Sequence, residues 1–149
     1  MESLTIRDAT KEDIQTIADY CIALLEQHYE LDTNFKPNDK ARESYFSFLI
    51  KAIKSDENKV LVADLNNCVI GYALGEIKKQ PPVFALEKYG FISDVYVIDK
   101  YRKQGISKQL FGELYLWFKK KGLSLVELSV HLKIKVLLKL GKKRDSNNI

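Results

Sequence analysis

The residues with the clearest chemical potential lie in one run, Asp99-Lys100-Tyr101-Arg102-Lys103-Gln104-Gly105-Ile106-Ser107-Lys108. Basic side chains surround a glycine there, just before Leu110, Leu114, Trp117 and Phe118 begin to recur at helical spacing. The first turn of a helix has N–H groups without intrahelical partners, its dipole favours negative charge, and a glycine lets the backbone come close to a ligand. The run therefore reads as an anion site whose natural guest is a phosphate, with Arg102, Lys103 and Lys108 adding positive charge. Glycine turns with basic neighbours are common ahead of helices, so the run alone does not define a function.

Other elements must hold that loop in place. Gly90-Phe91-Ile92-Ser93-Asp94-Val95-Tyr96-Val97 reads as the strand leading into it, and the helix extends to Gly122. Leu125-Val126-Glu127-Leu128-Ser129-Val130 follows as a strand parallel to the first, joined by a right-handed crossover. Upstream, Leu4-Thr5-Ile6-Arg7 alternates apolar and polar, and Thr10 stands three residues before Asp13 as a capping box. That box opens a helix over about residues 11–29, with Ile14, Ile17, Ala18, Cys21, Leu24, Leu25 and His28 on one face. A second amphipathic stretch, Asp39 to Lys54, sets Tyr45, Phe46, Leu49, Ile50 and Ile53 on one side. Val60–Ala63 and Val69–Ile77 then flank the polar turn Asp64–Cys68 and should pair antiparallel.

Composition narrows the class. A chain of 149 residues, 46% hydrophobic and 30% charged, with seven glycines and three prolines, reads as one globular domain, not a low-complexity or disordered chain. Cys21 and Cys68 lie in apolar runs without ligand spacing, so neither a disulfide framework nor a metal site is expected. There is no basic start followed by an apolar stretch, and no run near the roughly 20 apolar residues of a membrane span, so a cytoplasmic protein without a membrane partner is expected. Net charge is +4, but residues 133–149 carry six basic side chains against one acid, leaving the first 132 residues at −1. A basic end on a near-neutral body does not point to nucleic acid.

The order of parts is more specific than any one of them. A strand ending Asp-Val-Tyr-Val, then Arg-x-x-Gly-x-Ser, a helix containing Trp117-Phe118-Lys119, and Val-Glu-Leu-Ser-Val resembles the acetyl-CoA-binding core of the GNAT superfamily of N-acetyltransferases. The similarity in order extends from Leu4 to about Val130. In the family's loop pattern Arg102 and Gly105 match, and Ser107 stands where the family has Gly or Ala. The resemblance implies a single α/β domain with a mixed, mostly antiparallel sheet flanked by helices. It also implies acetyl-CoA as cosubstrate and transfer of its acetyl group to a primary amine of a small molecule or protein. Carried over by position, Arg102, Lys103, Gln104, Gly105, Ile106, Ser107 and Lys108 would hold the pyrophosphate, and Val95, Tyr96 and Val97 the pantetheine arm.

The catalytic groups are harder to place. Many relatives carry a Glu on the strand before the loop where this chain has Phe91 or Ser93, and alternation along the strand turns Asp94 to the face opposite Ser93. Glu76, on the neighbouring strand, is the remaining carboxylate candidate for the catalytic base. His28 and Tyr29, near where relatives bind the acceptor, are the substrate-side candidates. Without the strand carboxylate, the other reading is a non-catalytic acyl-CoA-binding or dimeric scaffold protein of the same fold.

Past Val130 the pattern departs. The family's Asn, Ala, Tyr and Gly-Phe are missing from His131 onward, which divides the chain into an acetyltransferase domain over residues 1–132 and an atypical basic tail over 133–149. Codons rebuilt from the last base of one and the first two of the next can give Asn across Lys133-Ile134 and Ala across Val136-Leu137. They can also give Trp across Leu140-Gly141, Gly across Arg144-Asp145 and Phe across Asp145-Ser146, in the family's spacing. A frameshift near Lys133 is therefore expected, and codons incompatible with those residues would refute it. Truncated or altered last strands would leave sheet surface for the apolar tail residues or a second chain to cover, so the chain is expected as a monomer or homodimer.

Overall fold

The computed structural model describes residues 3–31, 36–131 and 134–139. The alternating N-terminal stretch forms β1 (Leu4–Asp8), and two helices follow, α1 (Ile14–Leu31) and α2 (Ala41–Ala52). Next come β2 (Asn58–Leu65), β3 (Cys68–Lys79) and β4 (Lys88–Val97), then α3 (Ile106–Lys120), β5 (Leu125–His131) and β6 (Ile134–Lys139). The six strands form one sheet in chain order. All neighbours are antiparallel except β4 and β5, the pair joined through α3.

Local chemistry accounts for the boundaries. Thr10 N–H donates to the Asp13 carboxylate at 2.8 Å, closing the expected capping box. Arg7 donates to both oxygens of Asp13, at 2.8 and 3.2 Å, and to Asp64 on β2 at 3.0 Å, so one guanidinium ties the start of the helical segment to two strands. The turn between β2 and β3 is Asn66-Asn67 with φ of 51° and 70°, the two left-handed residues that match the twist of a tight hairpin.

The two faces of the sheet carry separate cores. On one, Ile14, Ile17, Ala18 and Cys21 of α1 and Leu49 and Ala52 of α2 pack on Val62, Tyr72, Leu74 and Tyr96. On the other, Ile106, Leu110, Leu114 and Phe118 of α3 cover Leu61, Ala63, Ile70, Ala73, Ile92 and Val97. Phe118 sits so close to Gly90 that a β-carbon there would lie 2.7 Å from its ring, so β4 needs a glycine at that point.

One expectation changes. Ile50, read as part of the packed face of α2, is 38% exposed, because the buried stripe runs through Leu49 and Ala52 and Ile50 is rotated about 100° from Leu49. At the C-terminus, residues 134–139 of the stretch read as a tail add a sixth strand, with Val136 opposite Leu128 and Lys139 opposite Leu125. The rest of that stretch, with most of the frameshift pattern, lies outside the described residues.

Candidate active site

Two irregularities of β4 create the site. Against β3, Leu74 stands opposite Asp94 and Gly75 opposite Ile92, which leaves Ser93 as the extra residue of a β-bulge. Against β5, pairing covers Gly90, Phe91 and Ile92 and ends with Ile92 opposite Leu128. The strands part at the same place where β4 is kinked.

The bulge resets which side chains face which side. Ile92, Val95 and Val97 pack toward α3, and Tyr96 packs toward α1. Ser93 and Asp94 both line the cavities beneath α1 and α2, so the alternation that set Asp94 on the face opposite Ser93 does not hold across the extra residue. Asp94 Oδ2 accepts a hydrogen bond from the Tyr72 hydroxyl at 2.7 Å, with Cys21 Sγ at 3.9 Å.

Burial raises the Asp94 carboxyl above its ordinary range, and hydrogen bonds from Tyr72 and Ser93 and the charge of His28 pull part of the way back. Around it, burial pushes the Cys21 thiol up to about 12, with the negative charge of Asp94 adding to the effect. The Tyr72 and Tyr45 hydroxyls are raised for the same two reasons. At neutral pH these three groups keep their protons, and Asp94 Oδ2 is the oxygen that accepts from the Tyr72 hydroxyl.

The gap between β4 and β5 forms a cavity of about 440 Å³. Asp94 and Val95 line one wall, Ser107, Lys108 and Phe111 of α3 another, and Leu128 closes the far side. Ile98 N–H bonds to Ile70 carbonyl on β3, which sets the phase of the ladder. Tyr96 therefore turns its N–H and C=O toward β3, while Val95 and Val97 turn theirs toward the gap. Val97 carbonyl accepts from Arg102 Nε at 2.6 Å, so of the three strand residues named from sequence, Val95 presents both backbone groups to the cavity it lines.

The loop itself is shaped by its backbone. Gly105, the residue before α3, has φ of 81°, and Lys103 has φ of 65°. A glycine takes that conformation at no steric cost, and nothing lies within 4 Å of where its β-carbon would be, so open space remains in front of the helix start. Arg102 braces the loop: besides Val97 it pairs with Asp99, and its guanidinium lies 5.4 Å from the Tyr96 ring centre. The first turn of α3, whose leading N–H groups have no intrahelical partners, thus brings Ser107 and Lys108 to the cavity, with a lysine side chain beside them. This donor set suits a phosphate at the loop with a polyamide arm along Val95.

The remaining candidates fall in different places. His28 lines a small cavity of about 70 Å³ together with Cys21, Ser93 and Asp94. Tyr29 lines a separate hollow with Glu26, Pro37 and Arg42. Glu76 stands opposite Phe91, beyond the bulge, and lines neither the β4–β5 gap nor the hollow under α2. Among the described residues there is no group of acidic, His and Cys side chains arranged to hold a metal. No helix among them is long and apolar enough to cross a membrane.

An open mixed sheet, parted at its one parallel pair, with a glycine loop and helix start at the opening, defines an acyl-coenzyme-type architecture. The family model described as the acetyltransferase (GNAT) family matches residues 25–141, and the chain belongs to that family of acyltransferases. Solved structures share the fold. An acetyltransferase from Vibrio fischeri is 19% identical with TM-score 0.69, over 89% of this chain and 99% of that one. A predicted acetyltransferase from Clostridium acetobutylicum with acetyl-CoA is 18% identical with TM-score 0.68, over 85% and 80%. The PaiA N-acetyltransferase from Thermoplasma acidophilum, in complex with coenzyme A, is 22% identical with TM-score 0.68, over 88% and 81%. No curated protein matches the chain.

Proposed function

We propose that the protein transfers the acetyl group of acetyl-CoA directly to a primary amine, with Asp94 as the general base. The observation that carries this reading is that Asp94 lines both the β4–β5 gap in front of the glycine loop and the hollows under α1 and α2. A carboxylate at that junction can reach an amine entering from one side and an acyl group presented from the other.

The fit of the loop and gap to a pyrophosphate and a pantetheine arm supports acetyl-CoA as cosubstrate, and it supplies an activated thioester. The chain's residues do the rest. The loop from Arg102 to Lys108 holds the phosphates, largely through main-chain donors, and Val95 fixes the arm. Asp94 accepts a proton from the attacking nitrogen as the N–C bond forms and the C–S bond breaks, and the sulfur leaves to be protonated by water. Burial brings the Asp94 pKa closer to that of its partner amine, which makes it a better base than an exposed aspartate. Tyr72 holds Oδ2 in place. In this reading Glu76 has no part in proton transfer, and His28 acts through its charge on Asp94.

Calorimetric titration with acetyl-CoA, on the wild type and an Arg102→Ala, Gly105→Asp double variant, tests the cosubstrate half. Binding by the wild type that the variant loses is expected. A folded wild type that does not bind acetyl-CoA would contradict the reading.

A further inference from the structure

The hollow between α2 and the sheet differs from the β4–β5 gap in its chemistry. It measures about 500 Å³, within the range of small-molecule sites. Ala41, Ser44, Tyr45 and Phe48 follow one another at helical spacing along α2 and form one wall, and Leu74 lies on the sheet side. Asp94 is the one charged residue among the described residues that line it. His28, the nearest basic group toward α1, lies in the adjoining small cavity and faces Asp94 from there.

We infer that the acceptor is a small primary monoamine on an apolar or aromatic body, its nitrogen at Asp94 and its body along the Ala41, Ser44, Tyr45 and Phe48 stripe. The inference rests on the acetyltransferase reading and adds the substrate class. One carboxylate matches one ammonium. A polyamine or a multiply aminated sugar would set its further cations against Ala41 and Phe48, where the described lining residues other than Asp94 carry no counter-charge. An α-amino acid would bring its carboxylate beside Asp94, a like-charge contact for which the one nearby cation among the described lining residues is His28, already facing Asp94 from the adjoining cavity. Phe48, 40% exposed at the rim, offers the flat apolar surface that a monoamine's body would cover.

The test uses the full 149-residue chain with saturating acetyl-CoA and follows thiol release with three probes, 2-phenylethylamine, phenylalanine and spermidine. For 2-phenylethylamine, kcat/KM should exceed that of the other two by about tenfold or more. Phe48→Ala should raise its KM by about tenfold while the Kd for acetyl-CoA stays unchanged, which also shows that the variant is folded. Equal or faster turnover of spermidine or phenylalanine would overturn the inference, as would an unchanged KM in the variant. So would no turnover of 2-phenylethylamine by a chain that binds acetyl-CoA. A chain that binds no acetyl-CoA would overturn the acetyltransferase reading itself, and this one with it.

Discussion

The two cavities that meet at Asp94 are built from different parts of the chain. The gap between β4 and β5 offers main-chain groups: the N–H donors at the start of α3, the two backbone groups of Val95, and a loop bent by Lys103 and Gly105. The hollow under α2 offers side chains, with Tyr45 and Phe48 for shape and Asp94 for charge. A backbone site depends on φ and on strand geometry and should tolerate changes among small residues, such as Ser107. A side-chain site depends on each group separately. Substitutions should therefore have graded effects on the first and single large effects on the second.

The largest effect should come from Asp94→Asn, which keeps the shape and removes the base. It should lower kcat by about 10²- to 10⁴-fold, with little change in the Kd for acetyl-CoA. Gly105→Asp comes next, since it puts a β-carbon at a φ of 81° and a negative charge at the phosphate loop. It should raise the Kd for acetyl-CoA by more than about tenfold in calorimetry, the reverse pattern to Asp94→Asn. Tyr72→Phe should lower kcat by about three- to tenfold, the worth of one hydrogen bond to Asp94. Ser107→Gly should change acetyl-CoA affinity least, and a large loss there would show that the loop works through its side chains.

Acid titration separates the site from its scaffold. Burial would raise Asp13, but bonds from Arg7 and the Thr10 N–H outweigh it and lower its pKa, so its stabilising contribution is present above the unfolded value and lost as pH falls through the folded one. Asp13→Asn should cost about 1–3 kcal/mol near neutrality, toward the low end because the Arg7 side chain is 34% exposed and partly screened. The loss should shrink in denaturant titrations at acid pH. Asp94 has the opposite sign: its folded pKa is raised, so its contribution to stability is greatest at low pH and falls as pH rises through that value. Activity runs the other way, since the base must be ionised, and kcat/KM should climb through the same range.

Much of the loop side was legible in the sequence because its signals are local. Helical spacing after Gly105, the alternation of the strand before it and the Thr10 to Asp13 capping box each lie within a few residues. The acceptor side was not. The bulge that turns Asp94 into the site comes from the register of β4 against Leu74 and Gly75, about 20 residues away, and nothing within Phe91 to Val97 announces an extra residue. Tyr45 and Phe48 were likewise hidden, because a helix that lines a hollow on one flank and packs on the next has an apolar pattern like that of an ordinary core helix.

The most direct test compares wild type and Asp94→Asn in parallel, measuring acetyl-CoA binding by calorimetry and turnover with the best amine of the series across pH. The account predicts the same acetyl-CoA affinity in both, a turnover at least about 10²-fold lower in the variant, and loss of the lower rising limb of kcat/KM with pH, the one set by Asp94 rather than by the amine's own ionisation. Turnover in Asp94→Asn within a few-fold of wild type, with the lower pH limb intact, would contradict it and move the base elsewhere in the molecule.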